Sequence, residues 1–395
     1  MPNNHEYLKL FPSKTIHLTS LNDSGEGTLR DILDKSPTDC TITPTVKGKI
    51  TLDSRIVASD LRNVHFDFDG LIELTGWELK FDKCSNMYFN KFIARMGDKQ
   101  VREHYKNKRP DGSSGLDCIS LTACHNVLFE KCSIWSGCDE NISVVRCSNI
   151  HFTSCLILFP LGDEDKLHPY GKYHCECANC SAVTDLCFHK CVMAYFRFRG
   201  PQFEANDAVK DQSVRMQALN NVIYGFDKAG TRYRSGREKS SDIVSGATYD
   251  FQLQFNLYVN PTEDGDPIVC DTSYDYCSKI KMSIRGNKYL QLNKLGKKDS
   301  CVDVKTIKDD DGKNLRDPES KQVTTKRLFT LKCTDDIDEY SLKDEKSCLE
   351  FFKEIVSNAG VGDALDIQAR ATILKGKKRQ YFETYDDVLD FIEIK

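Results

Sequence analysis

Five short stretches of the chain carry the same hydrophobic beat: NVHFDF (63–68), NMYFNKF (86–92), NVLFEKC (126–132), NIHFTSC (149–155) and LCFHKC (186–191). Each alternates apolar and polar residues around one phenylalanine, the pattern of a β-strand with a single buried face. The anchors Phe66, Phe89, Phe129, Phe152 and Phe188 lie 23, 40, 23 and 36 residues apart. Two of these separations are a bare period, and the other two are that period lengthened by 17 and 13 residues. The extra length is polar, in GDKQVREHYKNKRPDGSSG (97–115) and GDEDKLHPYGKYH (162–174), and reads as loops thrown from a wall. NNVIYGF (220–226) and FNLYVN (255–260) continue the series with longer gaps. A strand–helix–strand unit needs about 30 residues, so the shorter period points to the stacked coils of a solenoid. The expected fold is all-β, a right-handed parallel β-helix with coils about 4.8 Å apart. Cys132, Cys155 and Cys191, three residues after their anchors, then share one interior column.

The ends read differently. GTLRDILDK (27–35) is a short amphipathic helix with Thr28 and Asp31 at capping-box spacing. It suits a cover for the open edge of the first coil. Residues 291–347 are rich in Lys and Asp with weak periodicity, a solvated extension. CLEFFKEIVSNAG (348–360) predicts an amphipathic helix ending at Gly360, and YDDVLDFIEI (385–394) a second one. The division is therefore an N-terminal cap over 1–39, a β-helix over 40–290, and a charged, partly helical extension over 291–395.

Composition narrows the class. With 39% hydrophobic and 29% charged residues the chain has the make-up of a soluble globular protein. A net charge of −4 gives no reason to expect a nucleic acid as the main partner, and no apolar run reaches the roughly 20 residues of a membrane helix. The opening MPNNHEYLKLFPSK lacks the basic-then-apolar layout of a secretory signal. The expectation is cytoplasmic synthesis of a monomer, released by lysis or carried in a particle. In that setting the 18 cysteines read mostly as thiols filling the core.

Candidate chemistry lies off the beat. Glu140, Asp163 and Arg199 stand eleven residues after Phe129, Phe152 and Phe188, and Asp117 stands 23 before Glu140. Counted this way, four polar residues on four successive coils fall in one column, with Asp139 beside Glu140. Carboxylates stacked at about 4.8 Å repel one another, and each pKa rises unless a cation compensates. An all-oxygen set with no matched His or Cys favours Ca²⁺ over Zn²⁺. A row of solvated surface charges would show the same spacing. In HCECANC (174–180) four residues have the chemistry of Zn²⁺ ligands, but the spacing is not a common zinc pattern, and a loop with free thiols is the plainer reading.

Seven segments in order resemble the pectate lyase superfamily: LTSLNDSGEGTLRDIL (18–33), VKGKITLDSRI (46–56), RNVHFDFDGLIELTG (62–76), CSIWSGCDENISV (132–144), LHPYGK (167–172), RFRGPQ (197–202) and NNVIYGF. IVSNAGVGDALDIQARA (355–371) is similar to the family's C-terminal segment, and residues 262–347 match least. The resemblance implies a pectin lyase-like β-helix that cleaves polygalacturonate or a related acidic polysaccharide by Ca²⁺-dependent β-elimination. It implies Ca²⁺ ligands at Asp117, Asp139 and Glu140, and a catalytic arginine at Arg199 in the Arg-x-Pro pattern. A substrate-binding lysine is implied at Lys166 or Lys172, and His168 or either lysine is a fallback base. One departure stands out: family members often carry a second Arg after that Pro, whereas this chain reads Gln202, Phe203, Glu204. Three other readings share the fold: a glycoside hydrolase working through Asp117 and Glu140, a C5-epimerase, and a catalytically silent β-helix used for glycan binding or in a virus particle.

Overall fold

The computed structural model describes residues 14–105, 116–162, 174–204, 212–234, 248–261, 265–271, 280–291, 300–303, 342 and 345–392. Among these, 28 strands form three sheets of ten, eight and ten strands, and successive coils contribute neighbours to each sheet. Every described pairing is parallel except Lys288–Gln291 with Ser300–Asp303, which is antiparallel. The architecture is the parallel β-helix that the period predicts. Stacking begins at Lys14–Leu18, already paired with Thr38–Pro44, inside the segment read as the cap. No helix among the described residues is long and apolar enough to cross a membrane.

The five anchors stack. Phe66, Phe89, Phe129, Phe152 and Phe188 are fully buried, with successive ring centroids 4.4, 4.3, 4.8 and 4.8 Å apart and planes within 10°. Both insertions leave this ladder untouched, because they lie outside the strands that carry it. The asparagine opening each beat has its own reason. Asn63, Asn86, Asn126 and Asn149 turn the corner at φ between 53° and 55°, a left-handed conformation that asparagine tolerates better than most residues. Their amides also chain along the stack, Asn149 to Asn126 at 2.7 Å and Asn126 to Asn86 at 2.9 Å.

A second interior column changes chemistry along its length. Cys132, Cys155 and Cys191 are buried thiols in register. On the following coils Asn221, Asn256 and Asn287 take over, the Cys191 amide donating to Asn221 at 2.8 Å. Asn221 donates to Asn256 at 2.9 Å and Asn256 to Asn287 at 3.0 Å, and each amide also donates to a backbone carbonyl, so none is buried unsatisfied. Thirteen cysteines among the described residues are free and buried. Cys348 is disulfide-bonded, an exception within a set that is otherwise mostly buried thiol, as its composition predicts.

Helices close the ends and one side. α1 (Leu29–Asp34) has Thr28 as N-cap, accepting from the Asp31 amide, and buries Leu29, Ile32 and Leu33. The 97–115 insertion is not all loop: it contains α2 (Lys99–Tyr105), whose Val101 reaches the core. α3 (Glu345–Asn358) is the expected amphipathic helix. α4 (Ala364–Leu374) was not anticipated, its apolar pattern being weak, and α5 (Tyr385–Phe391) carries a full Thr384–Asp387 capping box. Beyond residue 291, the charged extension lies outside the described residues apart from Ser300–Asp303, Leu342 and the start of α3.

One buried ion cluster fixes this C-terminal strap. Arg95, with a side chain 0% exposed, donates at 2.8 Å to both oxygens of Asp363 and at 2.9 Å to Asp366. Its guanidinium lies 4.4 Å from the centre of the Trp135 ring. Asp366 also accepts from Ser133 Oγ at 2.6 Å. Gly360, at φ +78°, passes so close that an added Cβ would fall 2.6 Å from Asp366 and 2.8 Å from Leu156.

Two stability outcomes follow from these packings. Phe129→Ala removes the middle ring of the ladder and is expected to cost about 3–5 kcal/mol, read as a lower midpoint in urea. Arg95→Ala leaves buried Asp366 with only the more distant Arg370, 3.9 Å away, and is expected to cost a similar amount, about 3–5 kcal/mol, with limited proteolysis releasing α4 and α5 before the β-helix opens. Unchanged midpoints for either variant would contradict the packing described.

Candidate functional site

The site lies where the chain enters the eight-stranded sheet. Asp117 stands two residues before Ile119–Thr122, and Glu140 and Glu176 open the next two strands, Glu140–Val145 and Glu176–Ser181. Register pairs Ile119 with Ile142 and Glu140 with Glu176, so the three acids share one column. Arg199 follows on the next coil, in a corner at φ +65° before the strand Gln202–Glu204. The corner holding Asp139 and Glu140 is tied by buried Asn141, which accepts from Gly137 N–H at 2.9 Å and donates to Leu158 C=O at 2.8 Å.

Oxygens of Asp117, Asp139 and Glu140 lie within 4.8 Å of one another. Asp117 accepts from the Glu140 amide at 3.1 Å and from Ser120 Oγ at 2.8 Å. Glu140 meets the Arg199 guanidinium, and Asp139 meets the His174 ring. Glu176 accepts from the Phe198 amide at 3.1 Å and lies 4.0 Å from Arg199 Nε. Glu78, from the coil before, shares Ser120 with Asp117 and lies 3.4 Å from Arg55. Glu204 pairs with Arg234 at 3.5 Å.

Crowding acids in a poorly hydrated corner favours their protonated forms. Burial, reinforced by the charge of Asp139, lifts Asp117 above the ordinary carboxylate range. Burial likewise pushes Glu176 up to about 7, against the nearby His174 and Arg197. Glu78 is also raised to about 7, by burial and then by Asp117. On His174 burial opposes the charge, but contact with Asp139 outweighs it and its pKa rises. Arg199 is pulled down, chiefly by burial, with Asp139 and Glu204 opposing and Arg232 and Arg234 assisting.

The structure brings together Asp117, Asp139, Glu140 and Arg199. Asp163, Lys166, His168 and Lys172 lie outside the described residues. The count that puts Asp163 in the column does not survive the insertion, since the ladder partner of Glu140 is Glu176. Sequence reasoning missed Glu176, though a signal existed. Asp117, Glu140 and Glu176 each stand twelve residues before Phe129, Phe152 and Phe188, because insertions precede the corner and backward counting avoids them. His174 belongs to this site through Asp139, and the thiols of HCECANC are free as expected, though not in a loop. The segment runs into the strand Glu176–Ser181, with Cys175, Cys177 and Cys180 buried. The described residues hold one cluster with metal-ligand geometry, and it contains no cysteine.

No family model matches the chain. Two curated relatives do in part. A probable pectate lyase C of Aspergillus terreus is 30% identical over 145 residues, covering 35% of this chain and 31% of that protein. A probable pectate lyase C of Emericella nidulans is 30% identical over 131 residues, covering 32% of this chain and 27% of that protein. The chain resembles the pectate lyase superfamily. It spans about a third of the length of those curated relatives. Among solved structures, a pectate lyase from Bacillus sp. N165 in complex with trigalacturonate aligns over 89% of this chain and 95% of its own, at 11% identity and a TM-score of 0.46. The Arg-x-Pro corner that carries the pectate lyase resemblance is the one that turns Arg199 onto Glu140.

The donor set fits a hard divalent cation. Its ligands are oxygens only, in one half-buried cluster, and Asp117 is otherwise driven toward protonation. Asp117 and Glu176 hold protons to higher pH folded than unfolded. The folded chain therefore binds more protons between about pH 4 and 7, and stability falls as pH rises through that window. A cation on the cluster replaces those protons. The rise in Tm with Ca²⁺ is expected to be largest at pH 7 and above, to shrink toward pH 5, and to be cut sharply by Asp139→Asn. A rise of equal size at every pH, or one that survives Asp139→Asn, would count against a site here.

Proposed function

We propose that the protein is a polysaccharide lyase that cleaves polygalacturonate, or a related uronic-acid polymer, by Ca²⁺-dependent β-elimination. The observation that carries this reading is the Arg199 guanidinium, half-buried and lowered in pKa by burial, set against a three-carboxylate cluster on the β-helix wall. In the elimination the C5–H bond breaks and its electrons form the C4–C5 double bond, while the C4–O bond breaks toward the departing sugar. Arg199 takes the C5 proton. An ordinary guanidinium is protonated throughout the working pH range, and desolvation is one of the few ways to make it a base. Asp117, Asp139 and Glu140 would hold Ca²⁺, which would supply positive charge beside the sugar carboxylate as the C5 proton leaves. Ser120 and the Glu140 amide fix the Asp117 carboxylate, and His174 fixes Asp139.

A glycoside hydrolase reading is less suited to this geometry. The acids approach within 4.8 Å, too close for an inverting pair at about 6.5–9.5 Å though near the about 5–5.5 Å of a retaining pair, and what a hydrolase leaves without a role is Arg199 set on Glu140. A silent glycan-binding β-helix has one observation in its favour: Glu204 stands where the resemblance calls for a second arginine, and it is paired with Arg234.

Incubation with polygalacturonate and Ca²⁺, followed by ultraviolet absorbance of the unsaturated product, separates these readings. Wild type is expected to give product that EDTA abolishes. Arg199→Ala is expected to lose activity by about 10²- to 10⁴-fold while remaining folded, with a lower Tm because buried Glu140 loses its cation. Folded wild-type protein that yields no product from pectate, alginate or related uronans would replace the lyase reading with the silent one.

A further inference from the structure

Beside Arg199 the wall turns basic. Phe198 is half-buried between two guanidiniums, Arg197 at 4.8 Å and Arg232 at 5.2 Å from its ring centre. Arg232 comes from the next coil, where its strand Ala229–Arg234 pairs with Gln202. Both arginines are close enough to Glu176 to act on its charge, so they border the candidate site.

Arg197 is held from outside the β-helix. Its Nε lies 4.0 Å from Asp227, which accepts from Tyr381 Oη at 2.6 Å and lies 3.7 Å from Arg379. Arg379 also donates to Cys175 Sγ at 3.4 Å. Tyr381 and Arg379 belong to the strap between α4 and α5, so the C-terminal segment reaches the corner preceding Arg199.

We propose that Arg197 and Arg232, braced on the Phe198 ring, form an anion subsite for a sugar carboxylate next to the one engaged at Arg199, with Tyr381 and Asp227 as positioning residues. A guanidinium stacked on a ring keeps its planar fork in one orientation, the geometry that carboxylates take in paired hydrogen bonds. A lone cation would serve a single acid group. One guanidinium beside Arg199 and a second on the next coil suit a polymer with an acid on every sugar. This inference rests on the uronan-lyase reading for the identity of its ligand, though its binding is measured apart from cleavage.

The test is calorimetric titration with hexagalacturonate, in EDTA for the native chain and with Ca²⁺ on an Arg199→Ala background that does not consume the oligomer. Arg197→Gln and Arg232→Gln are each expected to weaken binding about tenfold. In turnover assays the loss in Arg197→Gln falls mainly on KM rather than kcat. The fully methyl-esterified oligomer, which lacks the charge, shows no such difference between variants. Arg197→Lys recovers only part of the affinity, and Tyr381→Phe gives a smaller loss in the same direction. If a glutamine variant does not fold, the lysine variant at that position is judged by the same criterion. Folded variants that bind hexagalacturonate like the parent overturn the subsite, even where wild type cleaves. Arginine-dependent binding without cleavage keeps the subsite and overturns the lyase. Absence of both binding and cleavage in wild type overturns both.

Discussion

Successive coils of a β-helix are locked by backbone hydrogen bonds at about 4.8 Å, and that spacing decides what each column of side chains costs or contributes. Identical side chains are forced to stack on one another. For phenyl rings the spacing is close to van der Waals contact, and Phe66 to Phe188 form a continuous pile at 4.3–4.8 Å. Asparagine amides at the same spacing donate and accept in turn, from Asn221 to Asn287. Thiols lose little. Carboxylates, by contrast, are driven together with no freedom to separate. The column through Asp117, Glu140 and Glu176 is the place where the repeat works against itself, and burial, reinforced by the charge of Asp139, is the reason the pKa values of Asp117 and Glu176 rise.

A solenoid wall is open along its length, so a site on it needs something to give it sides. Here two additions supply them, and both are tied to the wall by charge. Arg95 carries the strap through Asp363 and Asp366. Further along, Arg102 of α2 donates to the Glu383 carbonyl at 2.7 Å, and the Tyr385 amide donates to Asp98 at 2.9 Å. The strap is therefore held at three places between the buried Arg95 cluster and the basic corner at Asp227. A substitution at Arg95, far along the stack from Arg199, acts on the site only by loosening that strap.

The sequence made the β-helix legible because the phenylalanine beat and the asparagine corner repeat at a fixed interval, and both are consequences of stacking. Asp117 and Glu140 were legible for the same reason. Asp163 was mistaken for Glu176 because a register can be counted only through residues that keep the coil, and the 162–174 insertion breaks it. Counting back from Phe188 restores the register. Nothing in the linear pattern, however, marks Arg197, Arg232 or Tyr381. Arg197 and Arg232 meet at Phe198 only after a full coil has been laid down, and Tyr381 arrives from more than 150 residues away at Asp227. Contacts made by a strap against a wall obey no period.

Arg199 sits at the boundary between two opposing fields. Burial and the neighbouring Arg232 and Arg234 push its pKa down, while Asp139 and Glu204 push it up. Each opposing carboxylate counts only while it is ionised and uncompensated. Glu204 is already compensated by Arg234. Protons on the Asp117–Glu140–Glu176 column, or a divalent cation among Asp117, Asp139 and Glu140, would remove much of the remaining negative charge. Desolvation and the two arginines would then act with less opposition. The acidity of the guanidinium thus depends on whether Asp139, two coils away, is ionised and uncompensated. An acidic cluster that is costly to fold is, on this reasoning, also what couples Arg199 to its surroundings. Asp139 links the two halves, since its charge raises the pKa of Asp117 and of Arg199 alike.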